Sequence, residues 1–329
     1  MYQRTEQEIM QNWEDDICRP IVSVCCTTYN HESYIAEAID GFLMQETDFR
    51  FEILIRDDCS TDKTAQIVRR YAEQYPQLIK PVYEKENTFS KGVKPMPQLY
   101  KIAKGKYIAL CEGDDYWIDT LKLQKQVDFL EENDEYVTCI HNSLNLDMDG
   151  IQSPQKFSQE DEERDYTLED LFQRNITNTC TLLFKNKRIV LPHNFNTFPM
   201  GDWPLQMILA EDGKIKYFPE IMAVYRIHTC GIWSKTDYIS RVKKTIFMLE
   251  GMNEYFSNKY KNEIYDTIGK YMLKLSQQYE DEQNVEKSIF YFEQANKYIN
   301  IRTKDKLKFK IKTKYPQFYL IIKTLKNKV

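Results

Sequence analysis

The chain has 329 residues, enough for one large α/β domain with an appendage or for two ordinary domains. A formal net charge of -5 argues against a nucleic-acid binder, and no stretch approaches the roughly 18 apolar residues that a membrane span requires. The eight cysteines form no CxxC pair, and several lie in apolar runs where a reduced thiol acts as a small hydrophobe, which fits a reducing cytoplasm.

Residues 1–19 form a polar, acidic leader without the apolar core of a signal peptide; Ile9, Met10 and Trp13 are spaced to dock on a domain. From residue 20 to 235 strand and helix patterns alternate. The β-branched run Ile21 to Cys26 precedes Thr27, Thr28, Tyr29 and Asn30, and then an amphipathic helix with apolar residues at 35, 38, 39, 42 and 43, for which Ser33 is placed as N-cap. Phe51 to Ile55 predicts a second strand, ending in Asp57 and Asp58, with a helix from Thr64 to Tyr75 stopped by Pro76. A strand over 79–83, a polar loop over 84–94 and a helix around 98–103 lead to the strand Tyr107 to Cys111, which ends in Glu112, Gly113, Asp114 and Asp115. A helix over 120–132 and a strand over 136–141 follow, then an acid-rich loop or lid over 147–165. The remainder reads as a helix over 168–174, a strand over 180–184, a helix from Pro204 preceded by Gly201 and Asp202, and strands over 215–218 and 222–226 that run on to His228. Repeated units of this size predict a doubly covered, mostly parallel sheet.

Beyond Thr236 the pattern changes to long amphipathic helices, a separate appendage over 236–300 in which 285–298 hints at a helical hairpin. The tail over 301–329 holds ten basic residues against one acid, Asp305, interleaved with apolar side chains. It suits either adsorption to an anionic membrane surface or a solvated basic end packed on the helices.

Strands of a βαβ series deliver their carboxyl ends to one edge, where loops form a ligand crevice. Three such ends here carry small polar groups or acids: Thr27 to Asn30, Asp57 with Asp58, and Asp114 with Asp115. Adjacent acids repel unless a cation, a base or water offsets them, and hard oxygen ligands suit Mg2+ or Mn2+ bridging a substrate phosphate. Taken alone, Gly113-Asp114-Asp115 reads equally as a solvated turn.

Four segments in order, PIVSVCCTTYNHESYIAEAIDGFLMQ, FEILIRDDCSTDKT, GKYIALCEGDDYW and GDWPL, resemble the family 2 inverting glycosyltransferases of the GT-A fold over roughly residues 20–235. The resemblance implies a Rossmann-like, mostly parallel sheet and transfer of a sugar from a nucleotide-sugar donor, UDP-linked first, to a hydroxyl of a glycan or lipid-linked glycan in surface-polysaccharide synthesis. It implies that Thr27, Tyr29, Asn30 and Asp58 hold base and ribose, with Asp58 on the uracil imide. Asp114 and Asp115 would hold ribose and cation, Mn2+ or Mg2+, with His228 as a further metal or diphosphate contact. Asp202 would take the acceptor proton. Family members often show a Glu-Asp pair there, whereas this chain has Gly201-Asp202, with Glu211-Asp212 a second pair close behind. Trp117, Trp203 and Trp233 stand beside these motifs and are read either as sugar platforms or as core. The implied location is the cytoplasm or, peripherally, the inner face of the membrane. Three rivals remain: a nucleotidyltransferase, which would show a Gly-rich basic loop that TTYNHES lacks, a noncatalytic module that binds carbohydrate or nucleotide, and a scaffold whose functional part is the helical appendage.

Overall fold

The computed structural model describes residues 4–13, 19–154, 162–187, 189–229, 231 and 236–314. Two compact units divide at Lys235 and Thr236. In the first, a short helix α1 (Glu6–Met10), closed by a Thr5–Glu8 capping box, buries Ile9 in the core. Strand β1 (Val22–Thr28) and strand β2 (Phe51–Asp57) are buried along their whole length, as strands covered on both faces must be. Between them α2 (Ile35–Leu43) buries Ile35, Ala38, Ile39 and Phe42, one helical stripe. It starts later than the Ser33 cap predicts: Tyr34 is the N-cap and makes no side-chain cap bond.

After α3 (Thr64–Gln74), strand β3 (Ile79–Tyr83) takes the sheet edge, where Pro81 is tolerated because no further strand needs its missing N–H. Next come α4 (Met96–Tyr100), β4 (Tyr107–Leu110), the two-residue β5 (Tyr116–Trp117) and α5 (Lys122–Glu132). Strand β6 (Tyr136–Leu146) is longer than its apolar run, because residues 142–146 pair with the last strand of this unit. Part of the predicted 147–165 loop is sheet: β7 (Gln152–Pro154) pairs with β6, and β8 (Arg164–Tyr166) with that last strand. Helix α6 (Leu168–Gln173), β9 (Leu183–Lys185), α7 (Asp202–Leu209) and β10 (Lys214–Arg226) complete the unit. The two strands expected over 215–226 are one, with register shifts around Pro219 and Glu220.

The main sheet runs in the order β3-β2-β1-β4-β9-β6-β10-β5, with β1, β2, β3 and β4 mutually parallel and β9 and β5 antiparallel to their neighbours. The chain moves outward from β1 to β3 and then returns to β4 on the other side of β1. Strand order therefore reverses between β1 and β4, and their loops diverge to open a crevice at the carboxyl ends.

Lys122 is fully buried in this unit; its Nζ donates to Gln126 Oε1 at 2.8 Å and lies 4.1 Å from the Trp117 ring centroid. Burial pulls the ammonium down to about 7, against the opposing pull of Cys111, Cys180, Cys139 and Asp119. A group lowered on folding contributes stability that is present above its unfolded pKa and lost as pH falls, because the unfolded chain holds the extra proton. Relative to Lys122→Met, the protein should gain stability between pH 7 and 10.5, by up to about 1.4 kcal/mol per pH unit. Urea unfolding across that range tests it, and parallel stability curves would refute it.

The second unit is helical. Its elements are α8 (Tyr238–Tyr255), capped by Asp237, α9 (Lys261–Asp281), α10 (Val285–Tyr298), capped by Asn284, and α11 (Thr303–Lys314). α9 and α10 form a hairpin in which Ser276 Oγ donates to the Ser288 carbonyl at 2.8 Å. In α11 the lysines fall at every second residue, so they spread around the helix instead of facing an apolar stripe. Phe309 stacks on Phe292 at 3.8 Å while Leu307 is exposed. Over Thr303–Lys314 the basic tail is therefore a helix that packs Phe309 on the preceding helix; residues 315–329 lie outside the described residues. No helix among the described residues is long and apolar enough to cross a membrane.

Candidate active site

Two loops line the crevice at the switch point. At the end of β1, Thr27 is buried and its carbonyl accepts the Gly113 N–H at 2.9 Å, stitching the two loops together. Tyr29 is 40% exposed and free to meet a planar ligand. Asn30 adopts φ 54°, a left-handed conformation that asparagine tolerates, and its Oδ1 accepts the Thr61 N–H at 2.8 Å. Asn30 therefore ties the β1 loop to the β2 loop.

Asp58 is the residue expected on a uracil ring. It is 2% exposed; Oδ1 accepts from the Thr88 N–H and hydroxyl at 3.0 and 2.5 Å, and Oδ2 from the Phe89 N–H at 2.9 Å. A carboxylate so engaged anchors the 84–94 loop to β2. Its neighbour Asp57 is likewise taken up by Ser60.

The acidic motif is a turn, closed by the Asp115 N–H to the Glu112 carbonyl at 3.1 Å. Gly113 is required at its corner, since a β-carbon there would lie 2.8 Å from Thr28 Oγ1 and 2.9 Å from Ile35 Cδ1. The turn gathers three carboxylates, Glu112, Asp114 and Asp115, with oxygens within 4.8 Å of one another. His228, just past β10, meets Asp114 rather than Asp115: Nε2 lies 2.9 Å from Asp114 Oδ2, and His31 Nε2 stands 3.9 Å from the same oxygen. Asp115 is 1% exposed, with Oδ1 accepting the Arg226 N–H at 2.8 Å and Oδ2 buried without a hydrogen-bond partner. Where Asp115 and His228 were expected together, His228 is hydrogen-bonded to Asp114, and the Asp115 oxygen with a hydrogen-bond partner is held by the Arg226 backbone. Arg226 clamps the turn: its Nη1 donates to the Asp114 carbonyl at 2.6 Å, its Nη2 meets Glu37, and its guanidinium lies over the Tyr116 and Tyr34 rings at 4.3 and 5.1 Å.

The acids do not share one charge state. Burial raises Asp114, but the hydrogen bond from His228 and the charge of His31 outweigh it and hold the carboxyl below the usual range. Desolvation, then Asp114 and Glu112, push Asp115 well up. Glu112 is pushed up to about 8 by desolvation, then by Asp114 and Asp202, with Lys94 opposing. Three crowded carboxylates that cannot ionise together, one with an orphaned buried oxygen, fit a divalent cation; oxygen donors with one imidazole suit Mg2+ or Mn2+.

Asp202 is the first residue of α7, where the helix dipole favours a negative charge. Asn175 Nδ2 donates to its Oδ2 at 2.9 Å. The rival pair Glu211 and Asp212 sits exposed at the far end of α7. Two tryptophans are core, not platforms: Trp117 and Trp203 are 1% and 4% exposed, and their Nε1–H groups donate to the carbonyls of Cys180 and Leu171. Trp233 lies outside the described residues.

Glu112, His31, Lys94 and Asn175 are site residues that the sequence reading passed over. Glu112 and His31 stood inside the quoted EGDDYW and TTYNHES motifs, beside residues already singled out; the other two reach the site only through folding.

A largely parallel sheet with acids gathered at its switch point defines a GT-A architecture. The family model "Glycosyl transferase family 2" matches residues 23–188, about half of the chain, and the chain belongs to that family. An uncharacterized protein of Mycobacterium tuberculosis is 39% identical over 213 residues, 64% of this chain and 60% of that relative, so the chain spans under two thirds of its length. The UDP-Glc:alpha-D-GlcNAc-diphosphoundecaprenol beta-1,3-glucosyltransferase WfaP of Escherichia coli is 36% identical over 112 residues, 34% of this chain and 41% of its own. Among solved structures, S. aureus TarS 1-349 in complex with UDP-GlcNAc superposes with a TM-score of 0.55 at 18% identity, over 85% of this chain and 93% of that one. At that identity it shows a shared fold.

Proposed function

We propose that the chain is a cation-dependent inverting glycosyltransferase that moves a sugar from a nucleotide diphosphate donor, UDP-linked first, to a hydroxyl of a glycan or lipid-linked glycan. The observation that carries this reading is the Glu112, Asp114 and His228 cluster at the switch point, with Asp202 acting electrostatically on the same group of acids from a separate helix. WfaP, by its name, uses UDP-Glc and a diphosphoundecaprenol-linked acceptor, and TarS binds UDP-GlcNAc; both support a UDP-linked donor.

Glu112, Asp114 and Asp115 would hold the cation with His228 beside Asp114, the Oδ1 of Asp115 being held by the Arg226 N–H. When bound, that cation offsets the charge that builds on the leaving diphosphate. Tyr29 offers a face to the base, while Thr27 and Asn30 shape the loop beneath it. Asp202, with one oxygen held by Asn175, keeps the other to accept the proton of the acceptor hydroxyl. Attack from the side opposite the diphosphate inverts the anomeric centre, so an α-linked donor gives a β-glycoside.

Calorimetric titration of UDP, GDP and their sugars, with and without Mn2+, tests the reading. Cation-dependent UDP binding in the micromolar to millimolar range is expected, followed by transfer whose product shows inverted anomeric coupling in NMR spectra. Retained configuration would refute the mechanism, and failure to bind any nucleotide would refute the function.

A further inference from the structure

Helix α11 is held to the rest of the helical unit by one side. Phe309 stacks on Phe292 of α10 with ring centroids 3.8 Å apart, and Lys312 is ion-paired with Glu280 of α9. The one acid of the tail, Asp305, is taken up by Arg302 at 2.7 Å. The side turned away from Phe309 is different. Leu307 and Ile311 stand four residues apart, one above the other, Leu307 59% exposed and Ile311 half-buried. Lys304 and Lys308 form a row on one flank of them, Lys310 and Lys314 a row on the other, and all four are exposed. The lysines that spread around α11 thus leave a short apolar ridge between two basic rows.

Like charges at four-residue spacing repel one another, and Lys304, Lys308 and Lys310 make no ion pair among the described residues to offset that cost. Residues 302–314 hold seven basic residues against one acid, whereas the whole chain carries -5, so the remainder is acidic. An anionic surface therefore attracts this end and repels the rest. A polyanion such as RNA would engage the lysines but leave Leu307 in water. A bilayer takes both, since lysine ammoniums reach lipid phosphate while their stems and the ridge enter the headgroup boundary. We infer that this face of α11 docks on an anionic lipid surface. The inference goes beyond the function proposed above and does not depend on it, because the face belongs to the helical unit and its binding is read without sugar transfer.

The test is co-sedimentation of the full chain with vesicles of phosphatidylcholine alone and of an about two-to-one mixture with phosphatidylglycerol. Binding to the anionic vesicles only is expected, weakening as salt rises. Replacing Lys304, Lys308, Lys310 and Lys314 together by Gln should lower that affinity by at least about tenfold. Leu307→Ala should lower it by about threefold to fivefold, through lost apolar contact. All five sites are exposed, so the helical circular dichroism and thermal midpoint should not change, which reports an intact fold. Equal binding to neutral vesicles, or undiminished binding by the four-lysine variant, would overturn the inference. So would an inert Leu307→Ala, or tighter binding to an RNA oligonucleotide than to the vesicles, either of which would make the face a general polyanion contact.

Discussion

Asp202→Asn is expected to bind donor and cation normally while turnover falls by about 10²- to 10⁴-fold, the range over which a positioned proton acceptor contributes. The amide has nearly the shape of the carboxylate and keeps an oxygen for Asn175, which donates at 2.9 Å, so the start of α7 should not rearrange. What it lacks is the ability to take a proton from the attacking hydroxyl. Binding energies are therefore preserved and the loss falls on the chemical step. Glu211→Gln and Asp212→Asn, at the exposed far end of the same helix, should leave turnover within about twofold. Single-turnover assays beside calorimetry separate the two effects. Near-normal turnover in Asp202→Asn would transfer the proton-acceptor role to another group.

Cation affinity is expected to climb with pH and then level off. Glu112, held up to about 8 by desolvation and its acidic neighbours, must lose its proton to become a ligand. Below that value each pH unit should strengthen Mn2+ binding by up to about tenfold per proton released. Glu112→Gln should flatten the dependence and weaken binding. Asp114→Asn should weaken it most, since Asp114 is the carboxylate held ionised by His228 and His31. The same shift bears on stability with a definite sign. Glu112 is raised from the ordinary glutamate value of 4.5, so its contribution is full below that pH and is lost as pH rises toward 8. The cation-free protein should lose stability over that window, and saturating Mn2+ should restore more at pH 8 than at pH 6. Mn2+ affinity independent of pH, measured by calorimetry between pH 6 and 9, would refute the assignment of Glu112.

The fold was largely legible because its signals are local. The runs Val22 to Cys26 and Phe51 to Ile55 are mostly apolar and lie in strands buried along their length, and α2 carries a clean 3.6-residue stripe. Misreadings occurred where pairing partners decide structure. Asn142 to Leu146 looks polar, yet pairing with β10 extends β6 through it. Residues 152–154 and 164–166 read as loop because each is too short to carry a pattern without its partner strand.

By itself the sequence determined that strands alternate with helices and that acids follow the strand ends, since each is written in residue type and period. It placed Asp114, Asp115 and Asp202 among the polar groups available for chemistry. Only the tertiary structure decided which way each faces. It turned Asp115 into the protein against the backbone of Arg226, and paired His228 with Asp114 across more than a hundred residues of chain. It engaged both oxygens of Asp58 in anchoring a loop, and it sank Trp117 and Trp203 into the core. The physical reason is that side-chain direction at a turn, and the burial that shifts a carboxyl's pKa, depend on neighbours brought by distant segments. No local pattern carries that information.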